Sequence, residues 1–193
     1  MLLDFLRGEL GSPRFSADLR AALTACHAEE ELITRGDLLD PEENALRRQV
    51  MGAFRGYGRD EELFHNFPKE ITWNYAVLEA EDLPRIRYID YSYWNEISRG
   101  SSSPLDAVAT IRAGIRIFDV PNDGVLATEQ YLRRGGKLPP VILLTSGRGR
   151  LVIVEGHHRM TAYALAPETF PGSFAYVGTC SPEELRHWND GYE

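Results

Sequence analysis

The sequence has little cysteine and no long apolar run. Cys26 and Cys180 are its only cysteines and show no CxxC spacing, so neither a disulfide framework nor a zinc-ribbon site is indicated. The longest aliphatic stretch, residues 141–144, is far shorter than the roughly 20 apolar residues of a membrane helix. The first ten residues carry three charged side chains, which do not suit a signal peptide. We therefore expect a cytoplasmic protein with no membrane partner.

The sequence also lacks a surplus of basic residues. It holds 21 Lys and Arg against 29 Asp and Glu, a net charge of −8, which argues against broad affinity for nucleic acid. One window, residues 133–159, is basic by +5, with Glu155 as its single acid. Its basic residues are Arg133, Arg134, Lys137, Arg148, Arg150 and Arg159. The window suggests a small anionic ligand, although Arg148 and Arg150 suit a solvated hairpin edge equally well.

Composition and length predict one folded domain with an extension. The chain has 193 residues, 43% of them hydrophobic, and contains no internal repeat or low-complexity tract. We predict an α+β fold, a small mixed sheet with helices that is preceded by a helical N-terminal extension. Residues 1–70 are assigned to the helical region, 71–112 to an aromatic-rich connecting segment packed on the core, and 113–193 to the α/β core.

Two helix start signals lie in the first region. Ser16 precedes apolar residues at helical spacing over 17–27 and predicts a capped helix. Asp40, followed by Pro41 and two glutamates, is a sharper signal. The glycines after Arg55 predict where this second helix ends.

Aromatic residues are concentrated between residues 71 and 96, where Pro84 interrupts the run. This composition favours strands or irregular packing over one long helix. Tyr91, Tyr93 and Trp94 are the candidates for the wall of a substrate pocket. The alternative is that the rings only pack the helical region against the second half.

The second half predicts alternating strands and helices. Strands are predicted over residues 115–120, 140–144, 151–154 and 174–177. The middle two strands form a hairpin. Helix starts are predicted at Ser103 with Pro104, at Thr128, directly after Gly156, and at Ser181.

Residues 155–159, Glu-Gly-His-His-Arg, join the second hairpin strand to a helix. The backbone N–H groups of a first helical turn, together with the helix dipole, bind anions. Gly156 permits an unusual backbone angle, and Arg159 can donate two hydrogen bonds to a phosphate. His157 and His158 add donors whose charge changes near neutral pH. Because three such side chains are unfavourable for the helix dipole, we expect a phosphate-bearing ligand here.

Metal binding is the competing interpretation of this junction. Adjacent helical histidines point about 100° apart, and HExxH spacing is absent, so a protein-held zinc site is disfavoured. Magnesium carried by a nucleotide stays open, with Glu155 as its ligand.

A PPV-type strand begins at Pro139, a hairpin follows, and Gly156, Arg159 and Ala162 form a GxxRxxA box on the next helix. In this order, these features resemble the ParB/sulfiredoxin superfamily over residues 113–180. The resemblance implies the small mixed sheet of that family and says nothing about residues 1–100.

The branch of the superfamily decides the expected activity. Sulfiredoxins have a catalytic cysteine directly after the box glycine, where this chain has His157, so sulfinic-acid repair is disfavoured. ParB proteins bind CTP and continue into a helix-turn-helix domain, for which we expect no room after the box. The local sequence is most similar to a branch with Asp-Gly-His-His-Arg, which includes nucleotide-dependent free serine kinases. Glu155 replaces the aspartate of that branch.

This resemblance implies ATP, ADP or CTP and Mg²⁺ as cofactors, and a small-molecule substrate. We expect Glu155, His158 and Arg159 to be catalytic, and Glu155 to be the Mg²⁺ ligand as well. The nucleotide is expected to contact Gly156, His157, His158, Arg159 and Thr161. Glu155 is the first candidate for a general base. The other carboxylates considered are Asp119, Asp123 and Glu96.

Three functional hypotheses follow. The leading one is a nucleotide-binding enzyme that transfers a phosphoryl group to a small-molecule hydroxyl or hydrolyses the nucleotide. The second is a noncatalytic sensor or partner-binding protein that holds a nucleotide or another anion. The third, a ParB-like DNA-binding protein or nuclease, is disfavoured by the net charge of −8. The oligomeric state is open, with a homodimer among the options.

Overall fold

The structure, a computed structural model, describes residues 1–12, 15–59, 62–147 and 149–189. It has the predicted α+β fold, with a five-stranded mixed sheet and helices at the N-terminus. The chain forms two compact units, Met1–Phe67 and Pro68–Glu193, and each has its own hydrophobic core. None of the helices in the described ranges has the length and apolar character needed to cross a membrane.

The first unit is helical. Its helices are α1 (Leu2–Leu10), α2 (Ser16–Ala25), α3 (Glu31–Thr34) and α4 (Pro41–Arg55), followed by a 3₁₀ turn at Glu62–Phe64. The predicted start of α4 is confirmed, because the Asp40 carboxylate accepts hydrogen bonds from the N–H groups of Glu42 and Glu43. Gly56 ends this helix in the left-handed conformation, with φ 75°. The predicted cap at Ser16 is wrong, since Ser16 is already the first helical residue.

Arg47 is the largest fully buried side chain of the first unit and is 1% exposed. Its Nε and Nη2 both lie 3.1 Å from the carbonyl oxygen of Leu32, and its Nη1 donates to the carbonyl oxygen of Asp37 at 3.0 Å. Nη1 also donates to Asn44 Oδ1 at 2.7 Å, and Nη2 donates to the Glu43 carboxylate at 2.6 Å. These bonds connect α3 and the segment after it to α4, and they compensate a buried charge.

The second unit is built on the mixed sheet. Its strands are β1 (Thr72–Leu78), β2 (Ile86–Arg87), β3 (Val141–Thr145), β4 (Leu151–Glu155) and β5 (Ser173–Thr179). Their spatial order is β1-β5-β3-β4-β2. The β1–β5 and β3–β4 pairs are antiparallel, whereas β3–β5 and β2–β4 are parallel. Both edge strands, β1 and β2, come from the aromatic-rich segment over residues 71–112.

Helices contribute buried side chains to the main core of this unit. The helices of this unit are α5 (Ser92–Ile97), α6 (Pro104–Arg112), α7 (Asp123–Arg133), α8 (His157–Leu165) and α9 (Pro182–Trp188). Short 3₁₀ turns lie at Ala80–Arg85, Ile117–Asp119 and Pro167–Thr169. Apolar residues of α6 and α8 pack with Ile86, Leu151 and Ile153 in one buried cluster. The predicted Ser181 cap of α9 is confirmed by its hydrogen bond from the N–H group of Glu184.

The predicted strand over residues 115–120 is wrong. In its place the chain makes a 3₁₀ turn, with Phe118 at φ 50° and Asp119 at φ 60°. Both angles lie outside the β region. Three apolar side chains of this segment are exposed, those of Ile115, Phe118 and Val120. An extended conformation would therefore not be stabilised by burial of one strand face.

Candidate functional site

Gly156 is the residue at which β4 ends and α8 begins. It has φ 103° and ψ 21°, a conformation that glycine adopts without a Cβ penalty. A Cβ at this position would lie 2.6 Å from Cγ1 of Val141 on β3. Both the backbone angle and the close packing therefore require glycine. As a result, α8 starts directly at the end of a buried strand.

The first turn of α8 holds His157, His158 and Arg159. The first N–H groups of a helix have no partner inside that helix, and the N-cap residue Gly156 has no side chain to accept from them. The turn also contains no acidic residue that would offset the helix dipole. It therefore combines backbone donors with partial positive charge, and its three side chains have different surroundings.

Arg159 is engaged inside the protein. Its Nη1 donates to the carbonyl oxygens of Pro139 at 2.9 Å and Pro140 at 2.6 Å, and its Nη2 forms an ion pair with the Glu155 carboxylate. The guanidinium thus connects the start of α8 to the segment before β3. The guanidinium that we expected to donate two hydrogen bonds to a phosphate therefore donates to acceptors of the protein itself. The Glu155 carboxylate, which we expected to be the base and the Mg²⁺ ligand, is engaged in this ion pair with Arg159.

His157 lies against aromatic rings. Its imidazole stacks on Trp94 with ring centroids 5.0 Å apart and on Tyr88 at 6.1 Å. The Nε2 atom is buried and has no hydrogen-bond partner among the described residues. Burial lowers the pKa of His157 to about 3, so the ring is neutral at physiological pH. A role for His157 as a charged phosphate contact, which we expected, does not match this environment.

We expect the free energy of unfolding of the His157→Phe variant to fall much less at acidic pH than that of the wild type. An unfolded histidine titrates near 6.5, whereas burial lowers the folded pKa to about 3. The stability contributed by the neutral ring is therefore complete above pH 6.5 and is lost as the pH falls toward 3. Between pH 7 and pH 4.5 the loss is about 2 to 3 kcal/mol. Phenylalanine keeps the stacking on Trp94 but binds no proton.

Urea unfolding of both proteins at pH 7 and pH 4.5, followed by tryptophan fluorescence, measures this difference. All other titrating groups are common to the two proteins and cancel in the comparison. An equal loss of stability in both would show that proton uptake by His157 does not contribute.

Thr161 belongs to the interior beneath this turn and is 2% exposed. Its hydroxyl donates to the carbonyl oxygen of His157 at 2.7 Å, so the Tyr88 hydroxyl, 2.6 Å away, must donate to it. Burial raises the pKa of Tyr88, which keeps that phenol protonated. Thr161 therefore connects α8 to the end of β2, in place of the nucleotide contact that the sequence suggests.

His158 is exposed and lies beside α7. Its Nε2 is 3.2 Å from Thr128 Oγ1, and its Cε1 is 3.2 Å from the place that a Cβ on Gly124 would occupy. Gly124 is in the first turn of α7, so the N-terminal ends of α7 and α8 meet at His158. The partial positive charges of the two helix ends add at this point.

Gly124 and Thr128 are neighbours of the site that the sequence does not single out. Thr128 is predicted to cap α7, but it lies inside that helix, and its hydroxyl donates to the carbonyl oxygen of Gly124 at 2.9 Å. Residues four apart share a helix face. The spacing of Gly124 and Thr128 becomes informative only when α7 is known to begin at Asp123.

The alternative carboxylates are dispersed over three elements. Asp123 is the exposed first residue of α7 and precedes Gly124, whereas Asp119 lies in the 3₁₀ turn and Glu96 on α5. Within the described part of the chain, no group of three or more His, Cys, Asp or Glu residues could hold a metal ion. Because Glu155 is paired with a guanidinium, it does not fit Mg²⁺ in this arrangement.

The basic window of residues 133–159 does not form one patch. Arg133 pairs with Glu129, which is 5% exposed, and Arg159 is paired as described above. Arg150 precedes β4 and lines a different cleft. Arg148 lies outside the described residues. The excess of basic residues is therefore shared between internal ion pairs and separate surfaces.

Comparison with protein-family models, with curated proteins and with solved structures finds no match to this chain. The motifs themselves lie on β3, on β4 and on α8, with Gly156 between the last two. The function is therefore inferred from the geometry of these residues.

Proposed function

We propose that the chain binds a nucleotide through its phosphates where the first turns of α7 and α8 meet. The position of His158 carries this proposal, because its Nε2 lies 3.2 Å from Thr128 Oγ1 and its Cε1 lies 3.2 Å from the place of a Cβ on Gly124, both in α7. Two helix N-termini and an accessible imidazole supply hydrogen-bond donors and a positive potential. A polyphosphate is the ligand that can use all of them together.

We further propose transfer of the terminal phosphoryl group to a small-molecule hydroxyl or to water. The attacking oxygen forms a bond to the terminal phosphorus, the bond from phosphorus to the bridging oxygen breaks, and the nucleoside diphosphate leaves. Such transfer needs positioning and stabilisation of negative charge. His158 would donate a hydrogen bond to the phosphate, and Asp123 would accept the proton of the attacking hydroxyl. No step is assigned to Mg²⁺.

Arg159 has a positioning role in this proposal. Its bonds to the carbonyl oxygens of Pro139 and Pro140 and to Glu155 hold the start of α8 in place. The backbone donors of the first turn are thereby oriented before a ligand arrives, which reduces the ordering cost of binding.

Calorimetric titration with ATP, ADP and CTP, with and without Mg²⁺, tests the binding. We expect at least one nucleotide to bind, and the His158→Ala variant to bind it about tenfold more weakly, since a hydrogen bond to a charged phosphate is lost. His187→Ala removes an exposed histidine from α9 and should leave the affinity unchanged. No binding of any of the three, or equal affinities in wild type and His158→Ala, would overturn the proposal.

Binding without turnover is the second candidate function. It is favoured by the pairing of Glu155 with Arg159, which engages the carboxylate that was expected to be the base. Phosphorus NMR of ATP in the presence of candidate hydroxyl acceptors separates the two functions. Turnover that stops in Asp123→Asn, with nucleotide affinity retained, supports the enzyme. Affinity without turnover for every acceptor supports a sensor.

A further inference from the structure

A second cleft lies at the β2 edge of the sheet. In the parallel β2–β4 pair, Arg87 is opposite Val152, and Ile86 is opposite Leu151. Ile86 and Leu151 belong to the core cluster that includes α8 residues. Because side chains alternate along a strand, Arg87 and Val152 face the other way, and so does Arg150, two residues before Val152. The cleft therefore opens on the sheet face away from α8.

Two guanidinium groups line this cleft. Nη1 of Arg87 donates to the carbonyl oxygens of Pro84 and Ile86, each at 2.7 Å, which fixes the side chain. Burial lowers the pKa of Arg87, and the positive charge of Arg150 lowers it further, while Asp106 opposes the shift. Arg87 still remains charged at neutral pH. Two like charges in a partly buried place repel each other, and an anion bound between them would reverse that repulsion.

A constrained loop forms one wall of the cleft. Arg99 and Ser102 have φ of 57° and 55°, which is unfavourable for non-glycine residues. Ser98 Oγ accepts a hydrogen bond from the N–H group of Ser102 at 3.0 Å, and the Ser102 carbonyl oxygen accepts one from the N–H group of Tyr88 at 2.6 Å. These bonds hold Ser101 and Ser102 in place along the cleft before any ligand is bound.

The remaining polar groups of the cleft are Asp90, Asn95 and Asn189. Asp90 Oδ1 accepts a hydrogen bond from Asn95 Nδ2 at 2.5 Å, and the Asp90 N–H group donates to Asn189 Oδ1 at 2.7 Å. A carboxylate and amides match the hydroxyl groups of a ligand, and the charge of Asp90 disfavours a second anionic group. The cleft thus suits a molecule with one oxyanion and several hydroxyls.

We propose that this cleft binds a small phosphate ester that carries hydroxyl groups, with its phosphate between Arg87 and Arg150. Guanidinium groups donate paired hydrogen bonds to phosphate oxygens. Asp90 and Asn95 receive the hydroxyls. The cleft volume, about 440 Å³, is of the size used by small-molecule sites. This site is separate from the nucleotide site proposed at α8 and does not depend on it.

Calorimetric titration of the full chain with inorganic phosphate and with ribose 5-phosphate, at low ionic strength, tests the proposal. We expect ribose 5-phosphate to bind at least about tenfold more tightly than phosphate, because only the ester carries hydroxyls. Arg87→Gln and Arg150→Gln should each weaken its binding by about tenfold or more. Arg134→Gln makes the same charge change at the exposed residue that follows α7 and should have no effect.

Other outcomes would overturn the assignment. Gluconate presents a carboxylate and hydroxyls, so tighter binding of gluconate than of ribose 5-phosphate would contradict the choice of phosphate. Unchanged binding in the Arg87→Gln/Arg150→Gln double variant, with an unchanged circular dichroism spectrum, would contradict the site itself. We expect His158→Ala to leave ribose 5-phosphate binding intact and Arg87→Gln to leave ATP binding intact. Loss of ATP binding in Arg87→Gln would contradict two separate sites.

Discussion

Replacing Arg47 by methionine is expected to destabilise the first unit by about 3 to 5 kcal/mol. Methionine matches much of the volume of arginine but cannot donate a hydrogen bond. The carbonyl oxygens of Leu32 and Asp37 therefore lose their charged donor in the interior. Glu43 contributes less to this loss, because its side chain is 34% exposed and can be hydrated.

The expected loss is comparable to the whole stability of a unit of this size. For Met1–Phe67, typical values per residue give about 3 to 10 kcal/mol. Far-UV circular dichroism in urea follows the helices, whereas Trp73, Trp94 and Trp188 all lie in the second unit. We expect Arg47→Met to lose helical signal at lower urea concentration, while the tryptophan transition of the second unit is retained.

Two further variants make this result interpretable. Arg48→Met removes the same charge at the exposed neighbouring position of α4 and should leave the circular dichroism transition unchanged. Gly36→Ala retains Arg47, but its new Cβ would collide with Nη2 of Arg47 and with the carbonyl oxygen of Leu32. It should destabilise the unit in the same way. Normal transitions in both Arg47→Met and Gly36→Ala would show that this buried network contributes little.

Local signals in the sequence were sufficient for the start and end of α4 but not for this arginine. The Asp40–Pro41 start of α4 depends on side chains that reach backbone groups two and three residues away. Arg47 depends instead on a carbonyl oxygen 15 residues earlier in the chain. Its neighbour Arg48 is exposed, and nothing in the spacing of the two separates them. Which one is buried is decided by how α3 and the segment after it pack on α4.

In the sheet, too, local pairings were predictable from the sequence and long-range pairings were not. The hairpin of β3 and β4 was predictable, because its strands are adjacent in sequence and joined by a short turn. The edges were not, since β1 pairs with β5 across about a hundred residues and β2 pairs in parallel with β4. Parallel partners are joined by long crossovers whose register no local pattern encodes. The aromatic-rich segment over residues 71–112 was therefore predicted to be a connecting segment, although it supplies both edge strands of the sheet.

At the candidate site, the backbone was more predictable than the side chains. A glycine between a strand and a helix indicates the junction at Gly156. Glu155 ends β4 and Arg159 lies in α8, so their ion pair crosses the junction between strand and helix and is not a pair on one helix face. The burial of His157 was not predictable, because it is set by Tyr88 and Trp94, which lie more than sixty residues earlier. Gly124 leaves space beside His158, because a Cβ at that position would lie 3.2 Å from Cε1 of the imidazole.

Replacing Gly156 by alanine is expected to lower the free energy of unfolding of the second unit by about 3 kcal/mol, as the sum of two effects. An L-residue at φ 103° costs about 1 to 2 kcal/mol in backbone strain. The new Cβ also meets Cγ1 of Val141 at 2.6 Å, and overpacking of that kind costs about 1 to 3 kcal/mol. Tryptophan fluorescence in urea reports the change, because all three tryptophans lie in this unit.

Gly172→Ala isolates the first of the two effects. Gly172 also has a positive φ, 82°, but a Cβ there would have nothing within 4 Å, so only the backbone strain of about 1 to 2 kcal/mol is expected. A double-mutant cycle isolates the second. Val141→Ala removes the methyl group that the new Cβ meets, so the Val141→Ala/Gly156→Ala variant should lose about 1 to 2 kcal/mol less than the sum of the single losses. Two outcomes would contradict this account: additive losses of stability in the cycle, or equal losses in Gly156→Ala and Gly172→Ala. Either would show that β3 is not tightly packed against the start of α8 and so does not fix the position of that helix end.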